Sequence, residues 1–122
     1  MTTAHRGHFG EALAKDHLLC NGYSICAENI HSRWGEIDLV AEKDQVLFFF
    51  EVKQRKEGAH QRSQESIGIQ KLEKVVKTAQ WYLLRQGWED REYRFSALCI
   101  DECKNEYPKI TVIHDITEGL NF

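Results

Sequence analysis

Apolar residues recur along this chain with two different periods. From Val46 to Lys53 they alternate. Val46, Phe48, Phe50 and Val52 fall on one side of an extended segment, and Leu47, Phe49, Glu51 and Lys53 fall on the other. Gly35 to Ala41 also alternates, with Glu36, Asp38 and Val40 opposite Ile37, Leu39 and Ala41. The stretch Glu42-Lys43-Asp44-Gln45 between them is polar, and so short a connection implies an antiparallel hairpin. Both segments are apolar on both sides near their middles. The hairpin is therefore expected at the centre of a sheet covered by helices, with its acidic residues toward the strand ends.

Helical spacing appears twice. In Ile69 to Leu84, the residues Ile69, Leu72, Val76, Ala79 and Leu83 step by three and four, and Val75 widens the stripe. Ser66 is placed to cap this helix and Gly87 to stop it. Phe9 to Cys20 reads as a second helix ending at Asn21-Gly22. Phe9, Leu13 and Cys20 share one stripe of it, and Ala14 and Leu18 lie on another side. Tyr23 to Ile30 contains a strand, and Asn29 to Trp34 is a polar, basic loop. Gln54 to Glu65 is a longer polar loop with Arg55, Lys56, His60 and Arg62. Tyr93 to Ile100 and Lys109 to His114 form two more strands around Asn105-Glu106-Tyr107-Pro108. The order is helix, three strands, helix, two strands, with no linker or repeat. It predicts a single α/β domain over residues 1–122, with helices on a mixed sheet.

Composition narrows the function classes. A chain of 122 residues with 42% hydrophobic and 11% aromatic residues can bury one core. A formal net charge of -3 excludes a globally basic DNA-coating protein, so any nucleic-acid contact must come from a local patch. There is no transmembrane run and no signal-peptide pattern, which makes the cytoplasm the expected location. Cys20, Cys26, Cys99 and Cys103 form no C-x-x-C pair. Reduced, mostly buried thiols are expected rather than a structural zinc site.

The chemistry concentrates in the hairpin. Asp38 and Glu51 place carboxylates in otherwise apolar strands, where they repel unless a cation joins them. A divalent ion relieves repulsion between a phosphodiester and its nucleophile, and magnesium prefers oxygen ligands. Asp38, Glu51 and the Val52 carbonyl could supply those oxygens. Lys53 projects from the same side as Glu51 and could orient water or neutralise a transition state. It could equally be a salt-bridge partner of Asp38 or Glu51, because Asp-x12-Glu-x-Lys is a loose pattern. Glu11 has two readings as well: an i,i+4 partner for Lys15, which spacing favours, or a carboxylate aimed at the sheet. Trp34 is either a hydrophobic staple of its loop or a stacking surface for a base.

Gly10-Glu11-Ala12, Leu18, Gly22-Tyr23, Asn29, Gly35-Glu36-Ile37-Asp38-Leu39, Phe50-Glu51-Val52-Lys53, Lys71, Ala79 and Tyr82-Leu83 together resemble the YraN-like family. The resemblance spans roughly residues 7–100. That family is similar to the archaeal Holliday-junction resolvases. The resemblance implies a restriction-endonuclease-like, PD-(D/E)XK α/β fold: a central mixed five-stranded sheet flanked by helices. It implies a magnesium- or manganese-dependent DNA endonuclease acting on duplex or branched DNA, working as a homodimer because two strands need two cuts. It assigns Asp38, Glu51, Lys53 and Glu11 to catalysis, and Asp38, Glu51 and Glu11 to the metal, beside the Val52 carbonyl already placed there by its position in the strand. Arg33, Arg55, Lys56, Arg62 and Lys71 would contact nucleic acid. The chain departs from the family's pattern at Arg94-Phe95-Ser96, where an Arg-Phe-Asp segment is common, and has Arg33 two positions beyond the usual arginine. A second reading keeps the fold without catalysis, as a binding module whose acids form a salt-bridge network.

Overall fold

The computed structural model describes residues 3–56 and 69–117, with side chains described for 10–56 and 70–117. Ser66, His60 and Arg62, and the Phe9 and Ile69 side chains, lie outside the described residues. Seven elements follow in order: α1 (Thr3–Cys20), β1 (Ser24–His31), β2 (Glu36–Lys43), β3 (Val46–Arg55), α2 (Ile69–Gln86), β4 (Tyr93–Asp101) and β5 (Lys109–Ile113).

The strands form one sheet in the order β1-β2-β3-β4-β5. The first three strands run as an antiparallel meander. β3 then pairs with β4 in parallel, and α2 lies in the crossover that this requires. β5 returns antiparallel to β4. The apolar β3 thus occupies the centre, as its two-sided pattern predicts.

Each face of the sheet buries its own cluster. On one face Ala79, Tyr82 and Leu83 of α2 pack with Ile30, Ile37, Val40, Leu47, Phe49 and Phe95. On the other, Ala14 and Leu18 of α1 pack with Tyr23, Leu39, Ala41, Phe50, Leu98 and Ile100. Alternation along β3 holds: Leu47 and Phe49 face α2, and Phe48, Phe50 and Val52 face α1.

Several details differ from the sequence reading: α1 starts at Thr3, and β3 runs on through Arg55, so Gln54 and Arg55 belong to the strand and not to the loop expected there. The buried stripe of α1 is Ala14 and Leu18, while Cys20 is exposed. An alanine lets the helix lie close to the sheet where the longer Leu13 fits only at its side. β1 continues through His31, which shortens the following loop to 32–35. β2 runs to Lys43, so the hairpin turn is the two-residue Asp44-Gln45, both at positive φ (52° and 69°). That is the type I′ conformation, whose twist matches that of paired strands. None of the four cysteines is in a disulfide, and only Cys99 is buried.

Candidate active site

Pairing between β2 and β3 runs from Lys43↔Val46 to Leu39↔Phe50. Beyond that point β3 continues its pairing with β4, from Glu51↔Ala97 to Arg55↔Asp101, while β2 stays with β1 at Ile30↔Ile37 and His31↔Glu36. Asp38 and Glu51 are the first residues past the end of the shared ladder. Alternation in β2 also breaks here: Ile37 joins the α2-side cluster and Leu39 the α1-side cluster. The sequence reading put those two residues on one face. The strand separates from its neighbour at Asp38, and separation frees its backbone from strict pleating.

Loss of the partner strand would leave the Val52 N–H without an acceptor. The Asp38 carboxylate supplies one, accepting that N–H at Oδ2 over 2.8 Å. A strand residue sends its N–H and C=O to the same side, so the Val52 carbonyl also points toward this gap. Burial pushes the Asp38 carboxyl up to about 6. The Val52 N–H pulls the other way, and the charges of Glu51, Glu11 and Glu36 raise it further. Three other carboxylates therefore lie within electrostatic reach of Asp38.

Glu36, Asp38, Glu51 and Val52 line a cavity of about 240 Å³, together with Lys71 and Val75 of α2 and Ser96 and Ile116. Glu51 is anchored in β3 with only 15% of its side chain exposed. Its Oε1 contacts Lys71 Nζ. Its Oε2 is buried with no hydrogen-bond partner among the described residues. Such a group costs about 1–3 kcal/mol, more when charged, unless something else satisfies it. Among the described residues no three His, Cys, Asp or Glu side chains gather into a ready-made metal cage.

The remaining candidate residues stand as follows. Glu11 is outside the cavity lining, held by Asn29 Nδ2, which donates to Oε2 at 3.3 Å. Asn29 adopts a left-handed φ of 50°. Gly10 sets the approach of α1: a Cβ there would collide with Gln54 Oε1, whose amide donates to Glu102 Oε1 at 3.0 Å. Gly10 thus lies against the Gln54 side chain at the end of β3, and the next residue, Glu11, is within electrostatic reach of Asp38. Lys15 pairs with Glu28 at 3.1 Å, not with Glu11. Lys53 follows directly after the last β3 residue that lines the cavity and is half-buried.

Arg55 is half-buried, with a buried Nε that lacks a partner among the described residues, and Lys56 is exposed. The Arg33 guanidinium covers the Trp34 ring at 4.6 Å. Their loop is clamped to α2 by Ser32 Oγ and Thr78 Oγ1 at 2.7 Å, and Thr78 is itself buried and bonded to the Lys74 carbonyl.

Sequence reasoning missed the roles of Thr78, Asn29, Val75, Ser96 and Ile116. Thr78 left a signal, being a hydroxyl beside Ala79 within the apolar stripe of α2. Ser96, at the departure from the Arg-Phe-Asp pattern, is buried and donates to the His114 carbonyl at 2.6 Å. Ile116, which donates its N–H to the Phe95 carbonyl, left no signal in the short terminal stretch.

A mixed five-stranded sheet between two helices, with acids at the open end of its central hairpin, defines a restriction-endonuclease-like α/β domain. The profile of the uncharacterised protein family UPF0102 matches residues 10–100. The chain belongs to this family, the YraN-like family. A UPF0102 protein of Dichelobacter nodosus is 41% identical over 107 residues, covering 88% of this chain and 85% of the relative. One of Caldicellulosiruptor bescii is 37% identical over 111 residues, covering 89% and 93%. One of Persephonella marina is 36% identical over 95 residues, covering 78% and 82%. Among the described residues, no helix is long and apolar enough to cross a membrane.

Proposed function

We propose that this protein is a magnesium-dependent DNA endonuclease that hydrolyses phosphodiesters, with branched DNA as the structured substrate that suits a resolvase-like fold. One observation carries the reading. Glu51 Oε2 is buried without a hydrogen-bond partner among the described residues, in a cavity shared with Asp38, whose carboxyl is pushed up to about 6 by burial and neighbouring acids. An arrangement of hard oxygens that resists ionisation alone is stabilised by a divalent cation.

The residues present fit such an ion. Asp38, Glu51 and the Val52 carbonyl would hold it, and Glu11 would complete the set. The bound ion would lower the pKa of water and offset charge on the phosphodiester. Asp38 fixes the open strand end by holding the Val52 N–H. Lys53 brings an ammonium to the Glu51 side of β3, where it would stabilise negative charge developing on the phosphate. Exposed Arg33 and Lys56 would grip flanking phosphates, with Arg55, Arg62 and Lys71 completing the basic set. A homodimer would present two such sites to two strands, and the cytoplasm is the compartment in which they would meet DNA.

The test is cleavage of single-stranded, duplex, flapped and four-way DNA with and without magnesium or manganese. We expect metal-dependent cleavage, greatest on a branched substrate. Glu51→Ala should reduce it by more than the roughly 100-fold that loss of an outer partner of a metal ligand costs. Cleavage that persists in Glu51→Ala, or without metal, would end this reading. The Lys71–Glu51 pair favours a second reading, a non-catalytic binding module whose acids are held by basic side chains. DNA binding without cleavage in any metal would select it.

A further inference from the structure

Lys71 lies in the first turn of α2, and that turn carries no acid. A helix N-terminus favours carboxylates and disfavours ammonium groups. The position of Lys71 therefore runs against its own helix. Its Nζ nevertheless reaches Glu51 Oε1 on the facing strand. The two partners are unequal: 61% of the Lys71 side chain is exposed, against 15% for Glu51. A flexible cation enters from the solvent side onto a carboxylate fixed in the sheet. The other oxygen of that carboxylate has no hydrogen-bond partner among the described residues, and Glu36 and Asp38 line the same cavity.

We propose that Lys71 is a displaceable internal cation: it holds Glu51 until a divalent ion binds the carboxylates, then yields its place and turns its ammonium toward a DNA phosphate. The inference rests on the metal-binding reading above. Part of the negative charge of the cavity is neutralised without an ion, which lets the site stay folded while empty. An incoming ion must break the Lys71–Glu51 contact, so its apparent affinity is reduced to the fraction of molecules in which that contact is open. Lys71 thereby sets how much metal the protein needs.

The test is Mn2+ titration of the full chain by calorimetry at one ionic strength, with thermal melts with and without Mn2+. Wild type is compared with K71M and with K77M, which removes the same charge from an exposed position two turns along α2. K71M should bind Mn2+ about two- to fivefold more tightly than wild type, the range expected from losing a half-exposed ion pair. It should melt lower than wild type without metal and match it at saturating Mn2+, and K77M should bind like wild type. Equal or weaker binding by K71M, or the same gain in both variants, overturns the displacement and leaves the metal site standing. No Mn2+ binding by any of the three overturns both.

Discussion

The two ends of the β2–β3 hairpin are made from the same strands and are built on opposite terms. At the turn end the ladder is complete to Lys43↔Val46. Leu47 donates its N–H to the Glu92 carbonyl at 3.0 Å, and Glu42 pairs with Arg91. Leu47 and Phe49 are buried, and the strand partners there meet backbone to backbone. At the other end the ladder stops after Leu39↔Phe50. A carboxylate replaces a carbonyl as the acceptor for Val52, and a neighbouring carboxylate has an oxygen with no partner among the described residues. One end spends its residues on packing, and the other holds desolvated charge that packing alone would not tolerate. The closed end must be stable enough to keep the open end open.

The largest effect should come from the packing that holds the closed end together, which reaches as far as Phe49 in the wall of the cavity. Phe49 is 1% exposed and stands among Tyr82, Tyr93 and Phe95, with ring centroids 6.2, 5.9 and 5.7 Å away. Phe49→Ala removes a ring from a packed aromatic cluster and should cost about 3–5 kcal/mol. Urea unfolding followed by circular dichroism measures this. A loss under about 1 kcal/mol would show that the closed end is not where stability resides.

The open end should behave differently, because its charge destabilises. The Asp38 carboxyl is raised from 3.8 to about 6 in the folded protein. Between those values the folded chain keeps a proton that the unfolded chain has released. Stability therefore falls as pH rises from about 4 to about 6, then levels off. The loss is on the order of 2 kcal/mol without metal. Asp38→Asn keeps an acceptor for the Val52 N–H and removes the charge. Its stability should match wild type near pH 4 and exceed it by that amount at pH 8, in urea unfolding with a metal chelator present. Curves for the two proteins that stay parallel across this range would contradict a strained open end. The same substitution should weaken Mn2+ binding, so stability and metal affinity move in opposite directions.

Much of this arrangement was readable from residues alone. Period-two alternation placed Glu51 on the Phe49 side of β3, and two-sided apolar strands placed the hairpin centrally. Family resemblance brought in Glu11, which spacing had assigned to Lys15. What could not be read depends on where strands part. The alternation rule assumes a continuous ladder, and Ile37 and Leu39 violate it because β2 leaves β3 beside them. The Val52 N–H became important only because its ladder partner is missing. Lys71 reaches Glu51 through tertiary proximity across 20 positions, although an acid-free first turn was a visible hint. Cysteine burial was misjudged for a related reason. Cys20 and Cys26 are exposed because α1 and β1 present other residues, Ala14, Leu18 and Ile30, to the core.

The smallest effect returns to the turn and tests whether the two ends are independent. Asp44 and Gln45 both hold left-handed φ values. Aspartate tolerates that conformation, but glutamine has no local hydrogen bond to offset it, and glycine is the favoured second residue of such a turn. Gln45→Gly should relieve backbone strain while making the unfolded chain somewhat more flexible, a net gain of about 0.5 kcal/mol. Thermal melting should show a rise of a few degrees at most. Mn2+ affinity should not change, because the ladder from Lys43↔Val46 to Leu39↔Phe50 stands between the turn and the carboxylates. A change in metal affinity would mean that turn strain reaches Asp38 through the strands, and the hairpin would then be one coupled device with no division between a structural end and a chemical one.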